Sequence, residues 1–322
     1  MTTVQVQCPA KTNLTLHVGA RHEEWGGRHA LETVYCAIGL YDTVIVTGKH
    51  PGAGFSLELA GQHLGDLASS ASDMRRNHAV RALFALAQAA GVEPDAGIRI
   101  EKNIPVGAGL GGGSADAAGT LLALNELWGL HWPVERLSPI AATLGADMPF
   151  CLRGGTALGT GFGERIEPLA EDDARMQALR ASGCTGRVLV GAYRAQLSTP
   201  EVYAAFDVLG PGGGPNDLQQ AAISLHPRSG VAVDAALGAG ASAAFVSGSG
   251  PSVVAFAPDE LAAQAVQRAW LQADAVDRIT LADAPAQPIV RVRGGLIRRL
   301  ARGASTVENR GRSVSHMGYA RL

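Results

Sequence analysis

The sequence predicts two α+β domains, because stretches that suit strands and stretches that suit helices follow one another in mixed order. The chain has 322 residues, which is enough for one large or two medium-sized domains. Hydrophobic residues make up 47% of it and charged residues 17%, a balance that favours a packed core over disorder. A charged stretch from Glu164 to Arg180 separates the halves, so we expect one domain over residues 1–165 and a second over residues 166–284.

In the first half, apolar alternation and helical spacing predict the elements in order. Strands are predicted at residues 4–6, 14–18, 31–36, 41–47, 55–59 and 97–101, with a break at Cys8–Ala10 between the first two. Helices are predicted at residues 77–90, 114–128 and 133–144. Gly91 ends the first of these helices, and Pro133 occupies the first turn of the third.

The second half shows the same mixture of strands and helices. Strands are predicted at residues 187–193, 243–246, 253–256 and 278–281. Helices are predicted to begin at Ser198–Pro200 and at Asn216, and another spans residues 261–271. A loop of small residues, Ser247–Ser252, lies between two of the apolar strands.

The last stretch, from about Pro285, differs in composition from the rest. Residues 291–322 contain eight arginines and a single acidic residue, Glu308. Because such a composition buries little apolar surface, we expect residues 285–322 to form a basic, disordered tail. A contact with RNA or an anionic membrane, and a tail docked on its own domain, are the alternatives.

Charge and cysteine content disfavour several classes of protein. The net formal charge of -2 indicates no general nucleic-acid-binding surface, and no nucleic-acid partner is expected. Four cysteines are scattered without a Cys-x-x-Cys pair, which disfavours a zinc site or a disulfide framework and suits a reducing compartment. The sequence shows no signal peptide and no apolar run long enough for a bilayer, so we expect a cytoplasmic protein without membrane contact.

A glycine-rich loop between a predicted strand and a predicted helix is the most informative stretch. Five glycines fall within residues 107–113, directly before the helix that begins at Ser114. Glycine lets the backbone approach a ligand closely, and the first N–H groups of a helix carry partial positive charge, so this arrangement suits phosphate. No Gly-Lys-Ser/Thr follows, as a Walker A loop requires, and the preceding proline argues against a dinucleotide fingerprint. A structural glycine turn is the alternative.

Four separated motifs, in matching order between Val4 and about Leu281, resemble the GHMP small-molecule kinases. They are Pro9–Leu14, Pro105–Ser114, Leu144–Pro149 and Ser247–Gly250. Within that superfamily, they are most similar to enzymes that act on a cytidine diphosphate alcohol. The resemblance implies a ribosomal S5 domain 2-like N-terminal half, a ferredoxin-like C-terminal half and an active site in the cleft between them.

The same resemblance implies ATP-dependent phosphorylation of an alcohol on a cytidine diphosphate ester, with Mg²⁺. Asp147 would be the general base and Lys11 its partner. In a loose phosphoryl-transfer transition state, positioning matters more than basicity, and a lysine offsets charge on the transferred group. Considered singly, Lys11 is more often a surface lysine and Asp147 equally often caps a helix.

The resemblance also implies contacts with the two ligands. Asn13 and Thr199 would touch the substrate, although Asn13 alone fits a role in satisfying backbone at a strand break. The implied nucleotide contacts are Asn77, Lys102, Pro105, Val106, Gly107, Ala108, Gly109, Leu110, Gly111, Gly112, Gly113, Ser114 and Ala115. The alternatives are an N-cap for Asn77, a solvated strand-end residue for Lys102, and for Ser114 a cap as well as a phosphate or Mg²⁺ contact. The metal ligands stay open.

One departure from the family's pattern affects the cytosine site. The family has Asp-Gly-Tyr/Phe-His before a Leu-x-Thr-Val run, and the aromatic ring and histidine hold cytosine. Here His29 is kept, Arg28 stands at the aromatic position, and one residue is inserted. We hypothesise that cytosine is read by hydrogen bonds from His29 and by stacking on the Arg28 guanidinium. Trp25 swinging into the site is the alternative.

Two other functions are compatible with the motifs. One is another GHMP kinase that acts on mevalonate, homoserine or a sugar, and Lys11–Asn13 together with His29 favours the cytidine substrate over these. The other is a non-catalytic nucleotide-binding relative that uses the basic tail on RNA. The presence of both Lys11 and Asp147 argues against it, because a protein that only binds needs no base. The oligomeric state stays open.

Overall fold

The computed structural model describes residues 2–61, 71–292, 296–299 and 306–308. The first half contains β1 (Thr3–His22), β2 (Arg28–Gly48), β3 (Ser56–Gly61), α1 (His78–Ala90), β4 (Ala96–Lys102), α2 (Gly112–Leu127), α3 (Val134–Leu144), α4 (Met148–Arg153), β5 (Thr156–Thr160) and β6 (Arg165–Pro168). The remainder contains α5 (Ala174–Ala181), β7 (Gly186–Ala192), α6 (Thr199–Leu209), α7 (Gln219–Leu225), α8 (Pro227–Gly238), β8 (Ala243–Val246), β9 (Val253–Ala257), α9 (Glu260–Gln272), β10 (Arg278–Ala284), β11 (Ile289–Val292), β12 (Leu296–Arg299) and β13 (Thr306–Glu308).

The larger sheet has the strand order β13-β12-β11-β1-β2-β4-β3, and β5 and β6 extend it beside β2. Its centre is the long antiparallel pair of β1 and β2. The predicted break at Cys8–Ala10 is wrong, because β1 continues through it. Register shifts after Pro9 and after Asn13 accommodate the irregular residues without ending the strand, and such bulges re-aim side chains near active sites.

Helix α2 is buried nearly all round, because it packs against β1, β2, α1 and α4. Small residues allow this close approach. A Cβ atom on Gly119 would lie 2.8 Å from Cys8 Sγ and 2.9 Å from Val44 Cγ2. The buried helix therefore holds the start of α2, and with it the end of the glycine loop, in a fixed position against the sheet.

The smaller sheet confirms the ferredoxin-like expectation for the second half. Elements β7 to β10 follow the chain order strand, helices, strand, strand, helix, strand, and the sheet order is β10-β7-β9-β8 with every pair antiparallel. Val254 and Phe256 of β9 face the core shared with the first half, whereas Val253 and Ala255 pack toward α6–α9. This alternation joins the two halves through a continuous apolar core.

Two expectations about boundaries differ from the structure. Strand β6 pairs with β5 in the larger sheet, so the first half extends past the predicted boundary at residues 165 and 166. The expectation of a disordered tail is wrong for β11, which pairs with β1, and for β12 and β13, which extend the same edge. Backbone pairing with a distant strand orders these segments despite their arginine-rich composition. Residues 293–295, 300–305 and 309–322 lie outside the described residues.

Candidate active site

A cavity of about 1620 Å³ lies between the two halves, and all four motifs contribute to its wall. Lys11, Asn13, the glycine loop, Asp147 and the loop at Gly248 and Ser249 line it. Pockets for one small ligand usually measure about 300–1,000 Å³, so this cavity has room for two. The predicted cleft between domains is therefore present.

The two predicted catalytic side chains meet inside this cavity. Lys11 Nζ lies 3.2 Å from Asp147 Oδ2, and the exposed fractions of the two side chains are 8% and 29%. Lys11 is therefore no surface lysine. Asp147 stands at the N-cap position of α4, but its side chain makes no capping hydrogen bond. The carboxylate faces the cavity instead, beside the Lys11 ammonium.

Asn13 fixes the position of the lysine. Its Oδ1 accepts a hydrogen bond of 2.9 Å from Lys11 Nζ, and its Nδ2 donates to Thr33 Oγ1 at 2.7 Å. Thr33 donates in turn to the carbonyl oxygen of Thr15. These side-chain contacts differ from the alternative role for Asn13, which was to satisfy backbone at a strand break. Asn13 also lines the cavity, and its contact with a substrate stays a prediction.

Tyr35, which lies in β2, also contacts Asp147, although the sequence did not predict it as a site residue. Its hydroxyl donates to Asp147 Oδ1 at 3.0 Å, and its ring stacks on Phe150 with centroids 4.9 Å apart. Burial and then the neighbouring Asp147 charge raise the pKa of the Tyr35 hydroxyl well above its usual value, so it remains a donor. A tyrosine among apolar strand residues carries no local signal of this role.

The glycine loop is held by contacts that require glycine. Gly109 has φ +78°, and a Cβ there would lie 2.0 Å from the Ser247 carbonyl oxygen. A Cβ on Gly111, with φ +68°, would lie 2.7 Å from Lys11 Cγ. At Gly113, by contrast, the nearest atom would be 3.9 Å away, so space remains above the start of α2. This open cradle, lined by the first N–H groups of a helix, fits phosphate.

Lys102 is buried beneath this loop, so its interpretation as a solvated strand-end residue is wrong. Its Nζ forms ion pairs with Asp42 and, at 2.6 Å, with Asp116 of α2. Burial acts to lower the pKa of Lys102, and the two carboxylates outweigh burial and raise it. Burial raises the pKa of Asp116 to about 7, against the opposing effect of Lys102. Lys102 reaches the cavity wall, and its contact with nucleotide stays a prediction.

Ser114, Asn77 and Thr199 lie where contacts are expected. All three line the cavity. Asn77 Oδ1 accepts from the Ala79 N–H at 2.9 Å, so it caps α1 as the alternative expected. Thr199 Oγ1 lies 3.0 Å from Ser249 Oγ, which ties α6 to the Ser247–Ser252 loop. That loop therefore forms a wall of the cavity.

A separate part of the cavity wall, which includes Arg28, His29, Phe162 and Tyr203, is aromatic and charged. The Arg28 guanidinium lies 4.5 Å from the Phe162 ring centroid, and Trp25 meets the same ring edge-on. His29 stacks on Tyr203 with centroids 5.4 Å apart. Tyr203, another residue the sequence analysis missed, follows Thr199 by four positions on the cavity face of α6, and helical spacing from Thr199 is the signal that indicates it.

Comparisons with known proteins agree with this geometry. Residues 77–155 match the family described as GHMP kinases N terminal domain, and residues 202–276 match GHMP kinases C terminal. A relative from Bifidobacterium adolescentis, named 4-diphosphocytidyl-2-C-methyl-D-erythritol kinase, is 67% identical over 290 residues, which cover 90% of this chain and 94% of the relative. The chain belongs to the 4-diphosphocytidyl-2-C-methyl-D-erythritol kinase family.

More distant proteins match over similar lengths. The relative of the same name from Streptomyces avermitilis is 38% identical and covers 88% of this chain and 97% of its own. A crystal structure of 4-(cytidine 5'-diphospho)-2C-methyl-D-erythritol kinase is 30% identical, with a TM-score of 0.63 over 88% of this chain and 99% of that one. A homoserine kinase from Cytophaga hutchinsonii shares the fold at 20% identity, with a TM-score of 0.68 over 90% of this chain and 97% of its own.

Two kinds of feature are absent from the described residues. These residues contain no cluster of three or more His, Cys, Asp or Glu side chains that could hold a metal ion. No helix in the described part of this kinase-family chain is long and apolar enough to cross a membrane.

Proposed function

We propose that this chain transfers the terminal phosphoryl group of ATP to the 2-hydroxyl of 4-diphosphocytidyl-2-C-methyl-D-erythritol. The observation that carries the proposal is the Lys11–Asp147 pair, which lies in one cavity between the open phosphate cradle and an aromatic end that suits a base. Family membership, with relatives of that name at 67% identity, supports the same substrate. The four buried free thiols suit a reducing compartment, and we propose the cytoplasm.

Asp147 acts as the general base. Its carboxylate accepts the proton of the substrate hydroxyl as that oxygen bonds to the terminal phosphorus, while the bond from this phosphorus to the bridging oxygen of the leaving ADP breaks. Tyr35 and Lys11 hold the two carboxylate oxygens, so the carboxylate has a fixed orientation. Positioning of this kind supplies most of the catalysis in a loose phosphoryl transfer.

Lys11 has two tasks in this arrangement. Its ammonium pairs with the Asp147 carboxylate at 3.2 Å and orients it, and the lysine also reaches the glycine loop, because its side chain fills the space next to Gly111. A cation held between the base and the cradle offsets the negative charge on the transferred group. Asn13 fixes that cation from the other side at 2.9 Å.

The residues of the cradle fit ATP together with Mg²⁺. Backbone N–H groups of Gly112, Gly113 and Ser114, at the start of α2, would bind phosphate oxygens above the open space at Gly113. Mg²⁺ usually binds one or two protein oxygens plus substrate phosphates, so it needs no all-protein cluster. Bound Mg²⁺ would neutralise phosphate charge, and we assign the Ser114 hydroxyl to hold it.

The two bases are assigned to opposite ends of the cavity. Adenine would lie beyond the glycine loop, between α1 and β3, where Leu57, Leu59 and Asn77 form the wall. Cytosine would then lie at the other end, where the Tyr203 ring offers a flat apolar face beside His29. With this arrangement, the triphosphate of ATP and the diphosphate of the cytidine substrate would both extend toward Lys11 and Asp147.

A turnover assay tests the proposal. Purified protein would be given ATP, Mg²⁺ and one alcohol at a time: the cytidine diphosphate substrate, mevalonate, homoserine and a hexose. We expect ADP release with the cytidine substrate only, and a product phosphorylated at the 2-hydroxyl by ³¹P NMR. Turnover of another alcohol at a higher kcat/KM, or binding of ATP with turnover of none, would refute the proposal.

A further inference from the structure

One face of α6 forms the wall of the cavity at the end assigned to cytosine. Thr199, Tyr203 and Asp207 follow one another at intervals of four residues, so their side chains project from the same side of the helix, and all three line the cavity. Tyr203 offers an aromatic ring, and Asp207 places a carboxylate about one helical turn further along. A flat surface beside a single polar group is what recognition of a nucleobase edge requires.

The ring of His29 is already engaged with protein atoms at this end. Its Nδ1 lies 2.9 Å from the carbonyl oxygen of Gly19, and its Nε2 lies 3.1 Å from Asp207 Oδ1. A neutral histidine has one donor and one acceptor nitrogen, so the role of each ring nitrogen depends on the tautomer. His29 therefore lies between Asp207 and the Tyr203 ring, and its contact with cytosine stays a prediction.

Asp207 keeps accepting capacity toward the cavity. An ionised carboxylate has about four acceptor sites, and the His29 ring lies 3.1 Å from Oδ1, which leaves Oδ2 for another donor. Arg21 Nη1 lies 3.6 Å from Oδ2, which is an ion pair at a distance longer than a hydrogen bond. The side chain is 36% exposed, so Oδ2 can accept from a ligand. Arg21 also lines the cavity and supplies donors next to this acceptor.

The Asp207 acceptor and the Arg21 donor are complementary to the hydrogen-bonding groups of cytosine and not to those of uracil. Cytosine presents an amine donor at N4, where uracil presents the O4 acceptor, and carboxylates are known to accept from N4. The cytosine acceptors N3 and O2 lie beside the amine, where the Arg21 guanidinium can donate. Uracil would set O4 against the Asp207 carboxylate, which has no hydrogen to donate, so two acceptors would face each other.

We propose that Asp207 is the residue that makes this site specific for cytidine over uridine, by accepting a hydrogen bond from the N4 amine of a base stacked on Tyr203. The inference rests on the proposed function, because it takes the base at this end of the cavity to belong to the nucleotide alcohol.

The test compares kcat/KM for the cytidine diphosphate substrate and for its uridine diphosphate counterpart. Wild type is expected to prefer cytidine by about 100-fold or more, since a site built to hydrogen-bond one group rejects an analogue that leaves it unpaired. Asp207→Asn should lower this ratio by about 100-fold, because the amide can donate to O4. Asp207→Ala should lose activity on cytidine without a gain on uridine.

Asp234→Asn on the outer face of α8 is the matched control, since Asp234 is exposed and outside the cavity wall. It should leave both kcat/KM values and the unfolding midpoint unchanged. If Asp207→Asn lowers both substrates equally, Asp207 only orients His29 and the inference is overturned. An unchanged ratio overturns it as well.

A binding measurement separates this inference from the proposed function. With a non-hydrolysable ATP analogue saturating the glycine loop, calorimetry would compare cytidine 5'-diphosphate with uridine 5'-diphosphate. Preference for cytidine that Asp207→Asn abolishes supports the inference even if the methylerythritol substrate is not turned over. Turnover of that substrate by wild type, with equal binding of the two diphosphates, would overturn the inference and leave the proposed function intact.

Discussion

The hydroxyl of Tyr35 donates a hydrogen bond of 3.0 Å to Oδ1 of Asp147, across 112 positions of sequence. The carboxylate thus has a neutral donor on one oxygen and the Lys11 ammonium, at 3.2 Å, on the other. The Tyr35 side chain requires glycine at positions 159 and 163. A Cβ on Gly159 would lie 2.5 Å from the Tyr35 ring, and a Cβ on Gly163 would lie 2.6 Å from its hydroxyl. The base is therefore fixed from two sides before substrate binds.

Replacing Tyr35 by phenylalanine removes this donor and leaves the stacking on Phe150 in place. We expect kcat to fall about 10- to 100-fold, because a hydrogen bond to a charged group contributes about 1.5–3 kcal/mol. The KM for ATP should not change, since Tyr35 acts on the base alone. Steady-state kinetics, with ATP and the alcohol substrate varied in turn, would measure kcat and the KM for ATP separately. Tyr193→Phe in the second half, which also loses one hydroxyl, is the control.

Replacing Asp147 by asparagine keeps the shape of the side chain and removes its basicity. We expect kcat to fall about 10²- to 10⁴-fold, the usual contribution of general base catalysis. The dissociation constant of ATP should stay within about twofold, because the cradle is formed by backbone of the glycine loop. Single-turnover kinetics and calorimetry would measure the two quantities. A variant that keeps more than a tenth of the rate would remove Asp147 from the role of base.

Two glycines of the same loop should respond differently to alanine. At Gly109 a Cβ meets the Ser247 carbonyl oxygen at 2.0 Å and φ is +78°, so we expect Gly109→Ala to lower the free energy of unfolding by more than about 2 kcal/mol. At Gly113 the nearest atom is 3.9 Å away, so Gly113→Ala should change stability by less than about 1 kcal/mol. That Cβ should weaken ATP binding instead, because it enters the cradle.

Urea denaturation and nucleotide titration of both variants would test this contrast. Equal stability of Gly109→Ala and wild type would mean that the loop does not pack on Ser247 as described.

Asp116 should make stability depend on pH. Its pKa rises from the ordinary 3.8 to about 7 because the carboxyl is buried, so the folded chain holds this proton more tightly than the unfolded chain. Stability should therefore fall as pH rises from about 4 to about 7. Asp116→Asn lacks this contribution, so from pH 4.5 to pH 7.5 the difference in unfolding free energy should move by about 3 kcal/mol in favour of the variant.

Chemical denaturation of both proteins at matched pH values would measure this shift. A difference that stays constant over the range, or moves in favour of wild type, would show that Lys102 holds Asp116 ionised throughout.

Local chemistry made several elements predictable. Asn77 and Gly91 mark the two ends of α1 as the sequence indicates, because a cap depends only on its own turn. The glycine loop was predictable for the same reason, since the left-handed backbone it needs is a property of the glycines themselves. Strand β1 was harder, because the register shifts that carry it past Pro9 are set by pairing with β2.

By itself, the sequence determined the family's four motifs, the order of the elements and the pair of residues suited to base and cation. Only the tertiary structure decided that Tyr35 holds the base, that His29 lies against Asp207, that Lys102 is buried between two carboxylates and that β11 adds to the edge of β1. The physical reason is separation along the chain. Each of these contacts joins residues far apart in sequence, and no local pattern records a partner that only packing brings near.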